Sequence, residues 1–378
     1  MTPEGGNPSQ GKLRVAMYWA SSCGGCDISL LEIGPHLLEF IEVADIVFWP
    51  CATDFKYADV AGYDDGFIDV CLFNGAIRSS EHEEVARLLR RKSKSLVAYG
   101  ACATEGGIPS LANLSSLDGI YDVVYRRNPS LDNPGGVVPE TTCRIGCGDL
   151  ELPRQYDYVL RLRDIVEVDY QIPGCPPQAE NVWKVLSLVA SGQVPLEADA
   201  VKVGCGDKAV CDECSREKKQ VKIAAFKRPH LAIPDPRWCL LEQGFVCSGP
   251  ATRSGCGALC VKAGLPCRGC YGPAGLSEDQ GTAMVGVVGS SLDAKTEEKA
   301  LEMVAELVDP IGTFYRFSVA ASALHGAREA AFAPPAEQTS AWEEELLAAA
   351  DGGTPVIGAR GEGQGAKPGA SQPGGNER

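Results

Sequence analysis

The sequence predicts an α/β protein: an open, mostly parallel sheet in the first half, then an irregular cysteine-dense domain with C-terminal helices. Three observations carry this expectation. Short apolar runs alternate with stretches of helical periodicity as far as Val189. Cysteines come just after several of the expected strands. From Val201 to Pro273 the periodicity stops, and nine of the seventeen cysteines are concentrated there among many glycines and prolines.

The elements follow in order. Leu13–Trp19 reads as a strand, and Asp27–Glu42 as a helix, apolar at Ile28, Leu31, Leu38 and Ile41 and interrupted at Gly34-Pro35. Asp45–Trp49 and Ile68–Phe73 are the next strands. Ser80 is placed to cap a helix over Glu81–Arg91, with Glu83 and Glu84 near its positive end. Ser95–Tyr99 and Ile165–Gln171 are later strands, and Gln178–Val189 a helix. Helical pattern returns over Thr296–Val308 and after Pro310 toward Leu324. The expected organisation is a disordered segment 1–12, an α/β domain 13–195, a cysteine-rich domain 201–290, helices within 294–330 and a disordered tail 334–378.

Composition narrows the function. A formal charge of −15 argues against nucleic-acid binding, which needs a basic face to neutralise phosphates. Cysteines odd in number cannot all pair within the chain, and 378 residues need no disulfide scaffold. Met1–Lys12 is polar and Gly/Pro-rich, without an apolar leader core or a twin-arginine pair. No apolar run approaches the roughly 18 residues of a membrane span. The expected compartment is a reducing cytoplasm, where many cysteines signify metal or redox chemistry.

The cysteines fall into groups. Cys23 and Cys26 follow the first strand, Cys102 follows Ser95–Tyr99, and Cys175 follows Ile165–Gln171. All four therefore belong to the carboxyl edge of the sheet, where parallel strands gather functional groups. Four thiolates complete a [4Fe–4S] shell. The second half carries Cys211, Cys214, Cys239 and Cys247, then Cys256, Cys260, Cys267 and Cys270. Eight thiolates divide into two sets of four, and two zinc ribbons satisfy that spacing as well as two clusters do.

In combination, Trp19-Ala-Ser-Ser-Cys-Gly-Gly-Cys26, Gly100-Ala-Cys-Ala103, Pro173-Gly-Cys-Pro-Pro177, Cys247-Ser-Gly-Pro250 and Cys267-Arg-Gly-Cys-Tyr-Gly-Pro273 form a specific signature, supported by Asn74-Gly75 and Gly106–Asn113. Over about residues 12–290 the chain resembles the small subunits of [NiFe]-hydrogenases, in particular those of the cytoplasmic F420-non-reducing (methyl-viologen-reducing) type. The resemblance implies a flavodoxin-like sheet and three [4Fe–4S] clusters. The proximal one would be held by Cys23, Cys26, Cys102 and Cys175, the distal one by Cys211, Cys214, Cys239 and Cys247, the medial one by Cys256, Cys260, Cys267 and Cys270. Cys211 stands where many relatives have a histidine, and Cys260 where many have the proline that leaves a [3Fe–4S] centre. The nickel–iron centre is implied on a partner large subunit, so no catalytic residue is expected here. The implied route runs onward through a [2Fe–2S] subunit to heterodisulfide reductase. An F420- or NAD-reducing hydrogenase subunit, or a zinc-stabilised scaffold without redox function, are the other readings. The homologous subunit of complex I shares the α/β domain but usually has adjacent cysteines in its first motif.

Five cysteines remain. Cys71, inside an apolar strand, reads as a core residue, and Cys51 as the same. Cys143 and Cys147 read as surface or packing thiols. Cys205 competes with Cys211 for the distal set, but Cys211 has the CxxC spacing. His36 and His82 read as solvated helix residues, and no histidine has ligand spacing. Asp27 and Glu32 suit a helix dipole or a proton relay, and Arg87–Lys94 a solvated face.

Overall fold

The computed structural model describes residues 11–193, 198–275 and 277–326. The expected tail 334–378 and all but the end of the expected N-terminal segment lie outside the described residues. The strands are β1 (Leu13–Trp19), β2 (Ala44–Phe48), β3 (Ile68–Asn74), β4 (Ile77–Ser79), β5 (Ser93–Tyr99), β6 (Thr142–Ile145), β7 (Gly148–Glu151), β8 (Gln155–Leu160), β9 (Tyr170–Ile172) and β10 (Val201–Lys202). Six of them form one sheet in the order β10-β9-β5-β3-β1-β2, and every pairing in it is parallel. Val201–Lys202, expected to open the second domain, adds its sixth strand. β1 lies between β2 and β3, so the chain reverses its winding there and opens a crevice at the carboxyl ends of β1 and β3.

The sheet is covered on both faces, which is why its strands read as continuous apolar runs. Helices α1 (Gly25–Leu31) and α2 (His36–Val43) cross from β1 to β2, and α3 (Tyr57–Ala61) crosses to β3. α4 (Ser80–Lys92), α5 (Ala101–Glu105) and α6 (Leu117–Tyr121) follow, then α7 (Ala179–Ala190) between β9 and β10. Val15, Met17, Val70, Leu72, Val97 and Tyr99 face one layer with Leu30, Phe40, Val182 and Leu186. Ala16, Tyr18, Cys71, Phe73, Leu96 and Ala98 face the other with Val60, Val85, Leu88 and Leu89. Cys71 is fully buried, as expected.

Several expectations are corrected. The cap of α4 is Ser79, whose hydroxyl accepts the His82 backbone N–H; Ser80 Oγ accepts from the Arg154 backbone instead. Residues 165–169 are not strand, because the chain leaves a 3-10 turn at Leu162–Asp164 and pairs only from Tyr170. Arg87–Lys94 is not a solvated face: Arg87 pairs with Glu83, Arg90 clamps Asp169, Lys92 reaches Asp65 and Lys94 reaches Asp69. Asp69 also binds Arg14 through backbone and guanidinium. These ion pairs gather at the amino edge of the sheet, opposite the cysteines.

Among the described residues the second half is built from loops and five α-helices: α8 (Leu259–Lys262), α9 (Gln280–Ser291), α10 (Glu297–Ala305), α11 (Pro310–Phe314) and α12 (Ala323–Gly326). It does have cores of its own. Val210, Ile223, Leu240, Phe245, Val261 and Met303 pack around Cys247 and Cys267, so two of the expected ligand thiols are themselves core residues. Met284 and Val288 of α9 pack on Phe314, Tyr315 and Val319. The halves meet where the Glu105 carboxylate, paired with Lys202 of β10 (3.0 Å), lies against the Gly272 backbone.

Candidate metal centres

The first thiol set forms where the topology predicts. After β1 the chain turns through Ser21–Gly24, and α1 begins at once, so Cys23 precedes the helix and Cys26 is in its first turn. Asp27 anchors this turn. It is buried, and its two oxygens accept from Trp49 Nε1 (2.8 Å) and Asn74 Nδ2 (2.8 Å). Asn74 Oδ1 in turn accepts from Ser22 Oγ (2.8 Å). The carboxylate is therefore scaffold for the cysteine loop, while Glu32 is exposed.

Cys102 lies in α5, directly after β5, and Cys175 follows β9. The approach is close enough to require glycine at two points. A side-chain carbon at Gly100 (φ 85°) would overlap the Cys26 sulfur, and one at Gly107 (φ 58°) would lie 2.6 Å from Cys102 Sγ. The four thiols are mutual neighbours. Burial first, then the Cys102, Cys175, Asp27 and Cys23 charges, pushes the Cys26 thiol up. Burial, Cys175 and Cys23 raise Cys102 to about 12, opposed by the Ile108 backbone N–H. Burial and Cys23 raise Cys175. Thiols that resist ionising together in this way become favourable as thiolates once a cation is held among them.

The expected distal set is similarly gathered. Burial lifts Cys211 to about 12, with Lys218 lowering it and Cys247, Cys239 and Cys214 raising it. A side-chain carbon at Gly249 would lie 3.3 Å from Cys211 Sγ and 3.6 Å from Cys247 Sγ. Cys205 is apart from this group, its neighbours being Arg253, Lys202 and Asp207. In the expected medial set, burial lifts Cys270 to about 12; the Cys175 backbone N–H lowers it, and the thiols of Cys175, Cys256 and Cys260 raise it. Cys267 is pushed up by burial and by Cys247. Cys260 is exposed and joins the set from the surface.

Two contacts order the three sets in space. The Cys175 backbone N–H reaches the Cys270 thiol, tying the first group to the third. The Cys267 backbone N–H donates to Cys247 Sγ (3.3 Å), tying the third to the second. Cys256, Cys260, Cys267 and Cys270 thus lie between the other two.

The residues fit polynuclear clusters. Neighbouring thiols in sets suit separate irons of one cluster, and glycines leave room for its bulk.

Sequence reasoning missed the supports. Gln280, buried on α9, directs Nε2 at Thr252 Oγ1 (3.1 Å), Gly269 O (3.0 Å) and Gly272 O (3.2 Å), fixing the Cys267–Cys270 loop. Nothing in a lone glutamine signals this. Asn74 did carry a signal, through Asn74-Gly75.

The remaining expectations divide: Cys143, Cys147 and His36 are exposed as expected, while Cys51 and His82 differ. Cys51 is exposed in the turn after β2, not core. Cys143 and Cys147 are exposed on the β6–β7 hairpin. His36 is exposed and stacks on Trp183. His82 is half-buried, and desolvation with Arg78 pushes it down to about 4. The side chain of His325 lies outside the described residues. Among the described residues no helix is long and apolar enough to cross a membrane.

Comparison with known proteins identifies the family. Residues 23–189 match the family model of the 20 kDa subunit of NADH ubiquinone oxidoreductase. The chain is 38% identical over 286 residues to an iron-sulfur subunit of the F420-non-reducing hydrogenase of Archaeoglobus profundus, covering 74% of this chain and 88% of the relative. It is 38% identical over 285 residues to a subunit of the F420-non-reducing hydrogenase of Methanocaldococcus jannaschii, covering 75% and 90%. Among solved structures, an NAD+-reducing [NiFe]-hydrogenase chain is 34% identical, covering 49% of this chain and 94% of that one, with a TM-score of 0.43. A parallel α/β sheet with thiols at its carboxyl edge, continued by a cysteine-rich loop domain, defines an electron-transfer subunit of an oxidoreductase. The chain belongs to the family of iron–sulfur small subunits of [NiFe]-hydrogenases, within the F420-non-reducing type.

Proposed function

We propose that the chain conducts electrons between a nickel–iron site on a partner large subunit and a further redox protein, through three [4Fe–4S] clusters. Cys23, Cys26, Cys102 and Cys175 would hold the proximal cluster, Cys256, Cys260, Cys267 and Cys270 the medial, and Cys211, Cys214, Cys239 and Cys247 the distal. The observation that carries the reading is the serial contact of the thiol sets, Cys175 to Cys270 and Cys267 to Cys247. When bound, such clusters supply reversible one-electron storage.

The chain's own residues do the rest. Backbone N–H groups of Ile108, Gly249 and Cys267 point at cysteine sulfurs and stabilise them as anions. Asp27 with Asn74, and Gln280 with Thr252, hold the ligand loops in register. The heterodisulfide reductase route, by way of a [2Fe–2S] subunit, and a reducing cytoplasm as the working compartment complete the reading.

The test is anaerobic purification with the large subunit, followed by iron and zinc analysis. About twelve irons per chain are expected from three four-iron clusters; stoichiometric zinc with little iron refutes the reading. Cys260→Pro should remove one iron and give a paramagnetic oxidised [3Fe–4S] centre. Full iron in that variant removes Cys260 from the medial set.

A further inference from the structure

The chain carries a formal charge of −15, yet residues 215–238 hold seven arginines and lysines against two carboxylates. This basic span runs between Cys214 and Cys239, the second and third thiols of the expected distal set. Arg216 is committed to backbone carbonyls, Arg237 pairs with Asp235 (2.7 Å), and Lys222 donates to the Ser290 carbonyl. Lys218, Lys219, Lys222, Lys227 and Arg228 are all exposed, and none forms an ion pair among the described residues. Lys218 Nζ instead donates to the Cys211 carbonyl (3.4 Å), and Lys219 rests over the Trp238 ring beside Cys239. The nearby carboxylate of Glu242 is occupied by the backbone N–H groups of Lys219 and Gln220.

Within this span the loop 228–236 projects two apolar side chains, Leu231 at 73% exposure and Ile233 at 98%. Its two ends are fixed. On one side Lys227 bonds Gly244 through its backbone. On the other, the carbonyls of Asp235 and Trp238 accept from the buried Arg216 and from Gln243. Pro229, Pro234 and Pro236 restrict the chain between. An exposed apolar tip on a braced base, flanked in the chain by five exposed cations that have no ion-pair partner among the described residues, is pre-organised for association and loses little entropy on binding.

We propose that this loop and its flanking lysines are the docking surface for the acidic face of a small electron-transfer protein. The sign of the patch selects an anionic partner from a background that is negative elsewhere. Its position on the distal thiols makes a redox protein the partner that benefits from proximity, and in this the proposal rests on the electron-transfer reading above. Leu231 and Ile233 supply the desolvated centre, and the lysines the rim that steers approach.

The experiment uses the complex purified with its large subunit, with hydrogen as donor. The probe acceptor is an acidic [2Fe–2S] ferredoxin, and methyl viologen, a small cation that needs no docking, is the internal reference. The variants are Ile233→Ser and the triple change Lys222→Glu, Lys227→Glu, Arg228→Glu. The native complex should show a ferredoxin KM that climbs with salt. The triple change should raise KM at low salt by about tenfold or more and flatten that dependence, since steering contributes about 10–1,000-fold to on-rates. Ile233→Ser should raise KM without changing the salt slope. Ferredoxin kinetics unchanged in both variants overturn the proposal. So does salt-sensitive, patch-dependent co-sedimentation with vesicles of phosphatidylcholine and phosphatidylglycerol, or patch-dependent self-association in sedimentation velocity. Absence of viologen reduction in the native complex would instead count against the hydrogenase reading itself.

Discussion

His82 shows what burial does to a single ionisable side chain. It occupies the first turn of α4, where the Arg78 backbone N–H donates to Nδ1 (3.3 Å), so the ring is held as an acceptor. Burial and Arg78 lower its pKa from 6.5 to about 4. Between those values the unfolded chain takes up a proton that the folded chain refuses. Stability attributable to this group is therefore complete above about 6.5 and falls as pH drops toward about 4. The full loss is on the order of 3 kcal/mol at about 1.4 kcal/mol per unit. His82→Asn keeps an acceptor at the Nδ1 position and removes the titration. Its urea midpoint should change less between pH 7 and pH 5 than that of the native chain; equal changes would disprove the assignment. Cys71 was readable from sequence because an apolar strand surrounds it, whereas the partial burial of His82 depends on packing that no local pattern encodes.

At the scale of elements, α1 and α2 form as their periodicity predicts, with the break at Gly34-Pro35, but their apolar stripe faces outward. Leu30, Ile33 and Phe40 enter the core, while Ile28, Leu31, Leu38 and Ile41 are 56%, 46%, 66% and 43% exposed. A periodic stripe signals only that a face will be covered, not by what. Under the proposed function the covering surface is the large subunit. Leu38→Glu with Ile41→Lys should leave the isolated fold within about 0.5 kcal/mol and reduce co-purifying large subunit at least about tenfold, as loss of an interface anchor does. Undiminished co-purification would place the interface elsewhere. The central strands were legible because burial on both faces demands apolar runs. β8 escaped notice because it is short, begins with the polar Gln155 and Asp157 around Tyr156, and pairs only with the three-residue β4. α9 escaped because Gly281, Gly286 and Gly289 dilute its helical signal. Residues 165–169 looked like strand because Ile165 and Val168 are core residues, buried from a turn rather than a sheet.

Across the whole molecule the halves are stabilised differently. The α/β half has two broad apolar layers, whereas the cysteine-rich half packs its small core around Cys247 and Cys267. Metal binding to such thiols contributes folding free energy directly. Iron removal with an oxidant and chelator should therefore open Val201–Pro273 to protease well before the sheet is cut. Equal protection of both halves in the metal-free chain would contradict this. The glycines and thiols of that half announced inorganic support in the sequence, but spacing left its partition into sets open, because Cys214 and Cys239 are separated by a long loop, and only the family resemblance implied one.

The order of the thiol sets in space differs from their order in the chain. Cys256–Cys270, which stands between the other two groups, is the last of the three to be translated. During synthesis the amino-terminal sheet folds first, and Cys175 and Cys247 have both left the ribosome before Cys256 follows. The middle of the array is thus its keystone: a nascent chain stopped short of Cys256 has both ends of a conduit and no span between them.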